Sequence, residues 1–154
     1  MRSSARPAVI LLADDDAEDR EMTRRALDKN ELAHELHCVC DGEELLDYLH
    51  RRGTYAPPAQ SPVSGLILLD LNMPKKDGRE VLAEIKADPL LRRIPVVVMT
   101  TSQAEQDISR TYDLGTNSYI AKPITLPALV EVMKVLGQYW FHVVKLPEPT
   151  EEKP

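Results

Sequence analysis

Cysteine is scarce in this chain: 2 of 154 residues, Cys38 and Cys40, one residue apart. On a strand the two would share a face. Their spacing does not suit an ordinary disulfide, and two thiols do not complete a zinc site. They are expected to be buried, reduced and structural. Aromatic residues are few as well, and three of them fall together at Tyr139, Trp140 and Phe141. There is no basic excess. A net charge of -6 leaves no stripe to neutralise phosphates, which argues against nonspecific nucleic-acid binding. No apolar run approaches the length that spans a bilayer, so no membrane partner is expected. The start, Met1 to Pro7, carries some positive charge but leads only to a short apolar run and three aspartates, unlike a secretory leader. A cytoplasmic location is the expectation. No internal repeat or second domain is visible, and 43% apolar residues suffice for one core.

What is present is a set of four apolar runs, each ending in a residue suited to a phosphoryl group or a divalent cation. Val9 to Ala13 runs into Asp14, Asp15 and Asp16. Leu66 to Leu69 runs into Asp70. Val96 to Met99 runs into Thr100 and Thr101. Tyr119 to Ala121 runs into Lys122 and Pro123. Helical patterns separate the runs. In an open parallel α/β sheet, ligands bind at the carboxyl ends of the strands. All four endings would therefore meet in one pocket.

The remaining pattern is consistent with five strand–helix units. A second strand is expected over Glu35 to Cys40, with Asp41-Gly42 as a turn before a helix striped by Leu45, Leu46 and Leu49. Gly53 to Ser64 is rich in proline and reads as a long surface loop. Val81, Leu82 and Ile85 mark the third helix. Ser102 to Glu105 fits a capping box for the fourth, and Gly115 would end it. The last helix starts near Thr125 with Pro127 in its first turn and runs to the mid-140s. Residues 1–7 would be a tail, 8–138 a single domain, and 139–154 an extension and tail.

Any one aspartate at a strand–helix junction is accounted for by capping. Three in a row are not. Clustered carboxylates repel, and a hard cation with oxygen ligands is the natural compensation. Asp14, Asp15 and Asp70 fit that demand, with the Asn72 carbonyl a further oxygen near them. Thr100 would donate to a phosphoryl oxygen, and Lys122 would oppose developing negative charge.

With these residues in this order, the chain resembles a response-regulator receiver domain over about Ala8 to Gln138. The resemblance implies a flavodoxin-like (βα)5 doubly wound sheet of order 2-1-3-4-5 with an extended C-terminal helix. It implies Asp70 as phosphoacceptor, Mg²⁺ on Asp15, Asp70 and the Asn72 carbonyl, Asp14 acting through bound water, and Lys122 pairing with the acyl phosphate. Thr100 and Tyr119 take the family's switch positions. The stretch from Asp70 to Ile94 is further similar to single-domain regulators paired with cyanobacterial phytochromes and bacteriophytochromes. A sensor histidine kinase, of phytochrome type, is the implied partner, and signalling without a DNA-binding output domain is the expectation.

Leu126, Leu129, Val130, Met133, Leu136 and Trp140 form a core stripe on the last helix. Val132, Val135, Tyr139 and Val143 form a second apolar stripe that one core does not need. A homodimer is expected through Val132, Val135, Tyr139, Trp140, Phe141 and Val143. Two competing classes are a Mg²⁺-dependent aspartyl-phosphate phosphohydrolase and an unphosphorylated pseudo-receiver. Asn72 stands where such hydrolases carry a second aspartate, and intact Asp15, Asp70, Thr100 and Lys122 disfavour the pseudo-receiver. A flavin- or nucleotide-binding protein of this fold would need a phosphate-cradling loop where three aspartates stand.

Overall fold

Aliphatic runs without alternation make strands that are covered on both faces. β3 (Leu66–Leu69) and β4 (Val96–Thr100) are buried at every residue, and β1 (Ala8–Ala13) is buried from Ile10 to Ala13. β2 (His34–Val39) and β5 (Ser118–Ala121) lie at the edges and are only partly covered. The computed structural model describes residues 8–30, 34–57, 65–101 and 104–140. All strand pairs are parallel, in the order β2-β1-β3-β4-β5 expected for the flavodoxin-like sheet. The register aligns the strand ends: Ala13 pairs with Leu69, Leu69 with Val98, and Thr100 with Ala121. Asp14, Asp70 and Lys122, each the next residue along its chain, therefore emerge at one edge of the sheet.

Alternation along β1 and β3 divides the core in two. Leu11, Ala13, Ile67 and Leu69 face α2 (Gly42–His50) and α3 (Gly78–Ala87), where Leu45, Leu46, Val81, Leu82 and Ile85 complete one cluster. Ile10, Leu12, Leu66 and Leu68 face α1 (Ala17–Asp28) and α5 (Leu126–Gln138), with Ala26, Leu27, Leu129 and Met133. Aspartate or threonine side chains cap four helices. Asp16, Asp41, Asp77 and Thr125 each accept a first-turn N–H.

The fourth helix departs from expectation. α4 (Glu105–Leu114) opens with Ala104 at its N-cap and no side-chain hydrogen bond there. Glu105 is thus the first helical residue, not the third, and the anticipated capping box has no register in which to form; Ser102 itself lies outside the described residues. Gly115 closes α4 at φ 105, as its type allows. β2 begins and ends one residue earlier than expected. Within the proline-rich loop, Gly53–Tyr55 makes a 3₁₀ turn, and residues 58–64 lie outside the described set.

The cysteines are a correction. Cys38 is half-buried and Cys40 is exposed, both as free thiols. The cause is position: β2 is an edge strand with incomplete cover, and Cys40 lies beyond its last residue. Burial raises the Cys38 thiol's pKa.

Trp140 is a second correction. Placed by pattern in the core stripe and also named in the expected dimer interface, it goes to the core, 7% exposed and packed with Leu129, Met133 and Leu136. Its ring meets Tyr139 edge-on at 5.2 Å. Val135 and Tyr139 are exposed, at 61% and 50%, while Val132 is half-buried against the core. Phe141 and Val143, with the tail, lie outside the described residues.

Candidate functional site

The site begins with the turn after β1. Asp14 has a side chain 2% exposed. Its Oδ1 accepts the Asp16 N–H at 2.9 Å, and its carbonyl accepts Arg20 Nη1 at 2.8 Å. Asp15 is exposed at the rim of the cluster. Asp70 follows β3, with a side chain 8% exposed. The Asp70 N–H donates to the Ala13 carbonyl at 3.0 Å, and Asp70 Oδ1 accepts the Asn72 N–H at 3.2 Å. Carboxylate oxygens of Asp14, Asp15 and Asp70 all lie within 4.8 Å of one another.

Lys122 closes the cluster from β5. Its N–H donates to the Thr100 carbonyl at 2.9 Å, which fixes the start of the side chain. Its Nζ stands 2.8 Å from Asp14 Oδ2, 2.8 Å from Asp19 Oδ2 and 3.1 Å from Asp70 Oδ2. Burial lowers the lysine's pKa, but the hydrogen bonds it donates to Asp14 and Asp19 outweigh it, and the net shift is upward. Burial raises the Asp14 carboxyl, with Lys122 and the Asp16 N–H opposing.

Thr100 is fully buried at the end of β4, beside Ala121 in the register. Tyr119 is half-buried on β5, and its N–H donates to the Tyr112 hydroxyl at 3.2 Å. Of the predicted residues, Asp14 and Asp70 are thus brought into contact with Lys122, Asp15 lies beside them, and Asn72 and Thr100 join through the backbone. Val132 and Val135 lie on α5, Tyr139 stands at its C-cap, and none of the three takes part in the cluster.

Two glycines hold the loop behind Asp70. A Cβ on Gly78 would lie 2.4 Å from the Asp70 carbonyl oxygen and 2.7 Å from Leu71 Cα. A Cβ on Gly42 would lie 2.1 Å from the Lys76 carbonyl oxygen. The starts of α2 and α3 therefore press directly on this loop. Within it Lys75 adopts φ 66, a left-handed conformation that costs a non-glycine residue about 1 kcal/mol.

Sequence reasoning missed Asp19 and Arg79. Asp19, in the first turn of α1, reads as a helix-start acid, and its partner lies 103 residues away. Arg79 donates to both Asp77 and Asp107, and joins α3 to α4. Neither pairing leaves a local signature.

Four carboxylates against one ammonium leave excess negative charge, even with the Arg20 guanidinium on the Asp14 carbonyl. Such a set fits a hard divalent cation with oxygen ligands. It does not fit a bare anion. A parallel five-stranded sheet with an acidic cluster and a lysine at its carboxyl edge is the arrangement of a signalling receiver domain, and the sequence comparison agrees. Residues 10–134 match the response regulator receiver domain, and the chain belongs to that family.

It is 44% identical over 141 residues to response regulator Rcp1 of Synechocystis, covering 92% of this chain and 94% of that protein. The crystal structure of Rcp1 in a Mn²⁺-bound form superposes with a TM-score of 0.84, covering 92% of this chain and 100% of that one. The phosphorylated cyanobacterial phytochrome response regulator RcpA is 45% identical, with a TM-score of 0.85, covering 93% and 100% of the two chains. The bacteriophytochrome response regulator RtBRR is 39% identical, with a TM-score of 0.73, covering 92% and 85%. The resemblance to phytochrome-associated regulators seen in the Asp70 to Ile94 stretch thus extends over nearly the whole chain. No helix among the described residues is long and apolar enough to cross a membrane.

Proposed function

We propose that the chain is a phosphorylation-dependent response regulator with Asp70 as phosphoacceptor. The contact that carries this reading is Lys122 Nζ at 3.1 Å from Asp70 Oδ2, inside a cluster of acidic oxygens at the carboxyl edge of the sheet. The donor is a sensor histidine kinase, of phytochrome type by the company of Rcp1 and RcpA. In the transfer, an Asp70 carboxylate oxygen forms the new O–P bond as the P–N bond of a phosphohistidine breaks, and the imidazole leaves and takes up a proton. Hydrolysis later breaks the O–P bond and returns phosphate and the free carboxylate.

Asp14, Asp15, Asp70 and the Asn72 carbonyl would hold Mg²⁺. When bound, the cation neutralises charge on the phosphoryl oxygens. Lys122 adds a fixed positive charge on the opposite flank of Asp70. Thr100 donates its hydroxyl to a phosphoryl oxygen. Tyr119, two residues before Ala121 on the same edge, turns inward as Thr100 moves, and this exchange alters the face of α4, β5 and α5. Output runs through protein contacts in the cytoplasm. A homodimer forms through Val135 of α5 and Tyr139 at its C-cap, with Val132 beside them.

Incubation with Mg²⁺ and a small-molecule phosphodonor, followed by intact and peptide mass spectrometry, tests this reading. One phosphoryl adduct on Asp70, absent from Asp70→Asn, is the expected result. A folded, cation-binding protein that takes no adduct from the donor or from a histidine kinase would leave only an interaction module.

A further inference from the structure

Asp19 has no role in the reading above, yet it makes one of the shortest contacts in the site. Its Oδ2 lies 2.8 Å from Lys122 Nζ, as close as Asp14 and closer than Asp70. An ammonium has three donors, and the three carboxylates occupy all of them. The lysine is therefore saturated before any phosphoryl group arrives.

The three partners are not equivalent. Asp14 is sealed, with a side chain 2% exposed and a second hydrogen bond from Asp16. Asp70 is the group that reacts. Asp19 has a side chain 31% exposed and sits on the first turn of α1, where water can replace the lysine. Its carboxylate lies at most about 6 Å from Asp70 Oδ2, through the shared ammonium. A phosphoryl group on Asp70 would bring roughly one more negative charge and three acceptor oxygens to that place. It would meet a lysine whose charge is already divided, and a neighbouring carboxylate that repels it.

We infer that Asp19 is a positioning residue that competes with the phosphoryl group for Lys122. It acts as a built-in brake on the phosphorylated state, and it ties the first turn of α1 to the chemistry at Asp70. This rests on the reading of Asp70 as phosphoacceptor. Charge attraction and charge repulsion have the same sign here: removal of the Asp19 charge favours an anion at Asp70 on both counts.

The test is calorimetric titration of the full chain with beryllofluoride, a phosphoryl mimic, at saturating Mg²⁺. Asp19→Asn is expected to bind roughly tenfold more tightly than wild type, the size set by one screened charge at this distance. Asp19→Glu, which restores the charge, should return to within about threefold of wild type. Equal or weaker binding by Asp19→Asn overturns the inference. So does Asp19→Glu binding as tightly as Asp19→Asn, since a loosened α1 and not a lost charge would then be the cause. Should the asparagine variant fail to fold, Asp19→Ser carries the same comparison. Absence of binding by the wild type would instead sink the assignment of Asp70.

Discussion

Arg79 and Asp107 face each other between α3 and α4 through two parallel contacts, Nε to Oδ1 and Nη2 to Oδ2, both 2.6 Å. Both side chains are largely shielded, at 20% and 17% exposure. A bidentate, charge-assisted pair of this kind is stronger than an ordinary surface ion pair. It also raises the guanidinium's affinity for its proton, with Asp107 as the main cause. Asp107→Asn is expected to lower stability by about 1–3 kcal/mol. Urea denaturation measures it, and a midpoint within error of wild type would show that the strap between the two helices carries no load.

Asp14 sets a pH dependence. Burial holds its carboxyl above the ordinary 3.8, so the folded chain keeps that proton to higher pH than the unfolded chain does. Stability owed to this group is therefore fully present below 3.8 and declines as pH rises from there through the raised folded value. Asp14→Asn removes the titration. In a metal-chelated buffer, the variant's stability relative to wild type should climb across that window and level off above it. Parallel curves from acid to neutral pH would contradict the assignment.

Gly78→Ala should be among the more damaging single-methyl changes in the chain. The added Cβ would stand 2.4 Å from the Asp70 carbonyl oxygen, a backbone atom with no freedom to retreat. Forced overpacking costs about 1–3 kcal/mol. Because the displaced peptide carries Asp70, the rate of phosphorylation should fall along with the melting temperature. A variant that melts early but is phosphorylated at the wild-type rate would show that the strain is absorbed in α3.

The two faces of α5 give opposite outcomes. Trp140→Ala empties a core position and is expected to cost about 3–5 kcal/mol. Val135→Asp with Tyr139→Asp alters residues that the chain leaves exposed, so the melting temperature should hold while sedimentation shifts to the monomer. A dimer that survives the double substitution removes α5 from the interface.

Most of the fold could be read directly from residue types. Leu66–Leu69 and Val96–Thr100 have no polar residue before their last position, and only a strand covered on both faces tolerates that. The gathering of Asp14, Asp70 and Lys122 followed, because parallel strands put their carboxyl ends on one edge. What stayed hidden was pairing at a distance. Asp19 finds Lys122 and Arg79 finds Asp107 only once helices are packed. The same holds for Cys40: its exposure depends on β2 being an edge strand, which strand order decides and local pattern does not.

The glycine contacts behind Asp70 have a mechanical consequence. On the β3 side, the loop is wedged between the starts of two helices with no spare room at Gly42 or Gly78. On the β5 side, Lys122 hangs from an edge strand with one neighbour and half-covered residues. One flank of the site is a rigid anvil and the other a compliant hinge. A push delivered at Asp70 would therefore be passed to the compliant flank, toward β5 and the helices on either side of it.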